Sequence, residues 1–162
     1  MCFPVTIGKG NGSITQNTAI GVQVLDNTTG IGNTGVGYAS LLANTTGAGN
    51  SALGINSLRY NTSGAWGVAI GYQALFNNTT GQGNTALGAT ALQDNTTGSN
   101  NVAVGYISLA NNIDGQSNTA VGYNTLGANT SGGYNTASGY ASLSSNTTGG
   151  NNTAYGALSL GS

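Results

Sequence analysis

Charge is the first thing missing. Of 162 residues only Lys9, Arg59, Asp26, Asp94 and Asp114 carry it, for a formal net charge of −1. Such a chain sets up no field to steer a polyanion or an acidic bilayer onto its surface, so nucleic acid is not expected as a partner. Histidine and glutamate are absent altogether. With no paired carboxylates and no Cys-His or Ser-His arrangement, acid-base and nucleophilic catalysis have no residues to work with. The expectation is a protein that is not an enzyme.

Cys2 is the single cysteine and cannot close an intrachain disulfide. The three aspartates lack calcium-loop spacing and the RTX nonapeptide is absent, so neither a metal nor a cofactor is expected. Met1 to Gly10 shows no apolar h-region of a secretory signal peptide. No apolar run approaches the roughly 20 residues of a bilayer helix, which excludes membrane insertion by that means.

What the chain has instead is a repeat. From Asn33 the starts Asn50, Gly67, Asn84, Asn101, Asn118, Asn135 and Asn152 follow at seventeen-residue spacing, and Asn17 opens a first unit one residue short between Leu25 and Asn27. The fifth place is always Gly, from Gly21 to Gly156. The ninth is always Leu: Leu25, Leu41, Leu58, Leu75, Leu92, Leu109, Leu126, Leu143 and Leu160. The fifteenth is Gly30, Gly47, Gly64, Gly81, Gly98, Gly115, Gly132 and Gly149. Gly, Asn, Thr and Ser dominate, a mixture that often marks a flexible linker. A linker has no reason to hold one aliphatic at constant phase through nine units, whereas a stacked coil buries each unit only against the next.

Places two to six, as in Thr119-Ala120-Val121-Gly122-Tyr123, read as a short strand. Its alternation sends the second, fourth and sixth side chains to one face and the small third and fifth to the other, where a backbone can approach closely. A second short strand is expected around the ninth-place Leu, which points into the coil as structural core. The turn Asn-Thr-Thr-Gly follows, at Asn44 to Gly47 for example, with the fifteenth-place Gly accepting positive φ. A Gly-bearing turn in every unit forbids helix. The fold class expected is all-β, a parallel β-solenoid or β-roll of about nine 17-residue coils. At roughly 4.8 Å per coil the rod is on the order of 40 Å long. Asn ladders at the first and twelfth places would run up it, amide bonded to amide.

Residues 1–16 read as an N-terminal cap or degenerate coil, because Ile7-Gly8 echoes Ile20-Gly21; residues 17–162 form the repeat domain. The last unit stops mid-way at Ser162 without a polar cap, which suggests continuation by more chain or another subunit.

The runs Gly67-Val68-Ala69-Ile70-Gly71 and Asn101-Val102-Ala103-Val104-Gly105 resemble the head repeats of trimeric autotransporter adhesins of the Yersinia type. The Asn-Thr-Ala-Val-Gly-Tyr and Asn-Thr-Thr-Gly stretches resemble repeats of phage and viral tail fibres. The likeness covers Asn17 to Ser162. It implies a left-handed parallel β-roll, three chains about a common axis and an adhesive surface. The period here is longer than the adhesin repeat, and these 162 residues show no stalk or membrane anchor of the autotransporter kind, so secretion by that route is not expected.

Three motifs have blander readings. Gly30-Ile31-Gly32-Asn33-Thr34-Gly35 matches a dinucleotide fingerprint, but it straddles a repeat boundary and no helix is expected after it. Asn27, Asn44, Asn61, Asn78, Asn95, Asn129 and Asn146 head glycosylation sequons, yet turn chemistry accounts for them, since Asn112 persists where Ile113 and Asp114 abandon the sequon. The Tyr column, Tyr38, Tyr72, Tyr106, Tyr123 and Tyr140, is read as a surface ladder packing against its own copies, with sugar stacking as the weaker alternative.

The resulting expectation is a structural fibre or adhesin-like segment, extracellular or on a virion surface. Its main partner is itself, as homotrimer or end-to-end filament, through the small Ala/Gly face or the aliphatic face; a cell-surface glycan or receptor is the second partner class. If the fourth-place aliphatics and the Leu column both point inward, a single chain can stand alone. The alternative function is ice binding, carried by Thr ladders.

Overall fold

The computed structural model describes residues 6–8 and 16–161. Ten strands form one sheet in chain order: β1 (Thr6–Gly8), β2 (Thr18–Val22), β3 (Thr34–Tyr38), β4 (Ser51–Leu53), β5 (Val68–Ile70), β6 (Thr85–Leu87), β7 (Val102–Val104), β8 (Thr119–Val121), β9 (Thr136–Ser138) and β10 (Thr153–Tyr155). Strands β2 to β10 pair in parallel and in register, so that Ala103 lies between Ala86 and Ala120. The chain is an all-β parallel solenoid with one strand per seventeen-residue coil. Of the segment read as a cap or degenerate coil, only Thr6–Gly8 and residue 16 lie within the described residues; β1 runs antiparallel to β2, with Ile7 opposite Ile20.

Only one strand per coil exists, and the second expected around the Leu column is replaced by a turn. Every ninth-place Leu has φ between 48° and 53°, and every seventh-place residue, from Gln23 to Leu158, has φ between 50° and 60°. The alternation of small and apolar side chains suggested extended chain, but a coil must reverse direction within seventeen residues. Two left-handed residues make that bend while keeping N–H groups along the axis. Leu92 N–H donates to the Ser108 carbonyl one coil on at 3.0 Å, and Leu109 N–H to that of Thr125 at 3.0 Å. The left-handed conformation costs roughly 1–2 kcal/mol for a residue with a Cβ. Burying a Leu side chain returns roughly 1.5–3 kcal/mol, which carries the difference.

The interior is narrow. The third-place Ala column and the Leu column fill it, and Leu25 through Leu126 are wholly buried. Leu143 is 5% exposed and Leu160 60%. No room remains for the fourth-place aliphatics, which point outward: Leu53, Ile70, Leu87 and Val121 are all exposed. The inward arrangement of both columns is therefore corrected, and so is packing of a second chain on the Ala/Gly face, because that face lines the inside. The backbone that approaches the fifth-place Gly belongs to the next coil. Gly71 has φ of 137°, and a Cβ there would meet the Gly88 carbonyl carbon at 2.6 Å.

Two Asn columns stitch the coils. At the twelfth place Asn61 Nδ2 donates both to Asn44 Oδ1 at 2.7 Å and to its own coil's Gly64 carbonyl at 2.9 Å, a pattern repeated up to Asn146. At the first place the ladder differs from the expected amide pairing. Asn33 Oδ1 accepts the backbone N–H of Asn50 at 3.0 Å, while Asn33 Nδ2 donates to the Gly47 carbonyl at 2.9 Å. Amide-to-amide bonds join it from Asn101 upward, as in Asn118 Nδ2 to Asn101 Oδ1 at 3.1 Å. In the short first unit Thr28 takes the twelfth place, accepting from Asn44 Nδ2 at 2.8 Å, so the missing residue lies in the turn after Thr28.

The turn glycines Gly30, Gly47, Gly64, Gly81, Gly98, Gly115, Gly132 and Gly149 do not have positive φ. They are bare for lack of space. A Cβ on Gly98 would lie 2.5 Å from the Gly115 oxygen and 2.8 Å from Asn112 Nδ2. The residue that takes positive φ in this stretch is the seventeenth, occupied by Gly32, Gly49, Trp66, Gly83, Asn100, Ser117, Tyr134 and Asn151.

Candidate functional site

The solenoid offers three surfaces with distinct chemistry. The first is the outer face of the sheet, where the fourth-place aliphatics and the sixth-place tyrosines run side by side along the rod. Tyr38, Tyr72, Tyr106, Tyr123 and Tyr140 are 43–56% exposed. Where Tyr follows Tyr in successive coils the rings pack: Tyr123 and Tyr140 stack with centroids 5.2 Å apart, and Tyr106 and Tyr123 tilt at 5.8 Å. Tyr38 and Tyr72 have Ile55 between them in the column instead.

The second is a groove of about 780 Å³ along one corner, from Ala43 to Thr130. The eleventh and thirteenth places flank the buried Asn ladder here. Tyr60, Asn77, Asp94 and Asn111 form one wall; Thr62, Thr79, Thr96 and Ile113 form the other. The Thr hydroxyls are already committed, Thr79 Oγ1 donating to the Thr96 carbonyl at 3.0 Å and Thr96 Oγ1 to that of Ile113 at 3.1 Å. Their methyl groups are left as the lining. Asn77 Nδ2 is bonded to Asp94 Oδ1 at 2.9 Å, and Tyr60 sits edge-on to Phe76 at 5.0 Å. Arg59 lies over Tyr60 and donates from Nη1 to Asn56 Oδ1 at 2.9 Å.

The third is smaller, about 320 Å³, where Asp114, Gln116, Tyr134 and Asn151 surround the bare backbone of Gly133 and Gly150. The tyrosine column singled out in the sequence does not include Tyr134, which stands at the seventeenth place. The available signal was its departure from a position otherwise held by Gly, Asn or Ser in every unit but that of Trp66.

Among the described residues no three His, Cys, Asp or Glu side chains lie close enough to hold a metal ion. The dinucleotide-like run enters strand β3 at Thr34, not a helix. Of the sequon residues, Asn44, Asn61, Asn78, Asn95 and Asn129 are buried within the ladder, while Asn27 is exposed. No protein-family model, no curated protein and no solved structure matches this chain.

Proposed function

We propose that this solenoid is a structural fibre segment, extracellular or virion-borne, that self-associates through the outer face of its sheet. The observation that carries the reading is the exposure of an aliphatic and aromatic strip, with Leu53, Ile70, Leu87 and Val121 and the flanking tyrosines 38–56% exposed on one face. Soluble monomers rarely leave so long an apolar strip uncovered; such patches mark surfaces that pair. The resemblance of the Gly-Val-Ala-Ile-Gly units to trimeric adhesin heads supports three chains about one axis.

Light scattering coupled to size exclusion tests the reading. A mass three times the 15.9 kDa of the chain is expected, falling to a single chain in Leu87→Asp with Tyr123→Asp, whose charges lie on the strip and away from the core. A single-chain mass for the unaltered protein overturns it.

Ice binding is the second reading, favoured by one observation. The thirteenth-place hydroxyls of Thr45, Thr62, Thr79, Thr96 and Thr130 are each pinned to a carbonyl one coil on, which fixes a regular row of threonines. Ile113 interrupts that row, and the residues lie in a bend rather than a strand. Absence of thermal hysteresis at high protein concentration retires it.

A further inference from the structure

In an in-register stack the fold dictates what recurs, and a side chain that departs from its column is surplus to the fold. Departures adjoin at Trp66 and Gly67 and gather again around Asp114, where three successive coils contribute them. Asp114 replaces the Thr or Ser of the fourteenth column. Gly133 and Gly150 bare the sixteenth column, which carries side chains from Ile31 to Gln116. Tyr134 fills a seventeenth place at which Gly32, Gly49 and Gly83 fit without cost, and it does so at φ of 60°. Left-handed φ recurs at the seventh, ninth and seventeenth places throughout the rod, so what sets Tyr134 apart is the exposed ring it carries there, shared in that column only with Trp66.

Three polar groups gather around the same hollow. Among the described residues the Asp114 carboxylate and the Gln116 and Asn151 carboxamides make no hydrogen bond within the chain, as is common for carboxamides outside the ladders, and all three are exposed. One acceptor-only group and two donor-acceptor groups thus surround an aromatic ring that is 66% exposed, above a floor of backbone. The volume, about 320 Å³, lies at the small end of ligand sites, which span roughly 300–1,000 Å³.

We propose that this hollow is a binding site for a neutral pyranose, a terminal sugar or a disaccharide unit. The apolar C–H face of the ring lies on Tyr134, a pair of adjacent hydroxyls donates to Asp114, and the carboxamides of Gln116 and Asn151 complete the hydrogen bonds. Asp114 is the only charge in the hollow, so sialylated and sulfated sugars are repelled. The site lies apart from the sixth-place tyrosine column. It goes beyond the fibre reading and needs neither trimer nor filament, because one chain supplies every group.

The test is NMR titration of the intact chain with the methyl glycosides of glucose, galactose, mannose and N-acetylglucosamine. At least one is expected to shift the amides of Asp114, Gln116, Tyr134 and Asn151 with a dissociation constant near 1 mM, the affinity of a single small ring. Tyr134→Gly keeps the favoured backbone and therefore the fold, checked by an unchanged or higher melting temperature, and is expected to weaken binding at least tenfold, as is Asp114→Asn. Tyr123→Ala leaves binding unchanged. No shift with any of the four sugars, undiminished binding in Tyr134→Gly, or a response to sialyllactose alone overturns the proposal. Light scattering on the same samples keeps the two readings apart, since the association state of Tyr134→Gly is expected to be that of the unaltered chain.

Discussion

At Leu92 two opposed terms meet, a left-handed backbone that favours glycine and a side chain wholly buried in the coil. The burial term is the larger. Leu92→Ala is expected to lower the unfolding free energy by roughly 2–5 kcal/mol, measured by guanidinium unfolding followed by circular dichroism. At the seventh place the balance reverses. Thr90 has φ of 55° and is only half-buried, and a β-branched residue is the least suited to that region. Thr90→Gly is expected to stabilise the fold by about 1 kcal/mol, since it removes the left-handed cost and little packing. Destabilisation in the same assay would show that the Thr90 methyl or its hydroxyl bond to the Ala89 carbonyl outweighs the backbone term. Neither left-handed column was legible in the sequence. Places seven and nine hold Gln, Ala, Asn, Thr, Ile and Leu, which carry no common turn signature, so only the geometry of closing the coil reveals their φ.

Among the elements, the ladders and the strand were the most legible parts, because each demands one residue type at one phase. The Asn columns follow from their recurrence, and the register follows from the fixed spacing. Which way the fourth-place aliphatics face did not follow, since hydrophobicity suggested burial while the third-place Ala, the small eighth-place residues, the Leu column and the Asn ladders already fill the coil. The first-place ladder has one gap, at Gly67, whose N–H donates to Asn50 Oδ1 at 2.8 Å but which has no amide to offer Asn84 or the Gly81 carbonyl. A Cβ at Gly67 would lie 3.0 Å from Asn50 Oδ1, a tight contact that the Asn50 amide must relieve by a few tenths of an ångström for Gly67→Asn to fit the column. It is expected to add about 0.5–1.5 kcal/mol for each hydrogen bond gained and to slow amide exchange at Asn84. Unchanged exchange at Asn84 would mean that the ladder cannot be mended there.

For the molecule as a whole, each coil touches only its neighbours, so stability is close to a sum over coils and interfaces. Excision of residues 84–100 joins Gly83 to Asn101 in phase and is expected to leave a cooperatively folded rod one coil shorter. Excision of 84–92 breaks the phase at one junction and is expected to lower the melting temperature and split unfolding into two steps; equal stability and cooperativity of the two deletions would contradict a stack in register. The hollow at Tyr134 was not legible at this scale, because a repeat draws attention to what is constant, and the site is built from what is not. The twelfth-place Asn residues carry a last consequence. In Asn61, Asn78, Asn95 and Asn129 both hydrogens of the carboxamide nitrogen are engaged, one by the neighbouring Asn and one by a glycine carbonyl. A host that grafts oligosaccharides onto nascent chains would consume one of those hydrogens at each rung and wedge a branched polymer between coils. Among the described residues, grafts at Asn27 and at Asn151, which heads a sequon with Thr153, would stand clear of the stack, since both are exposed.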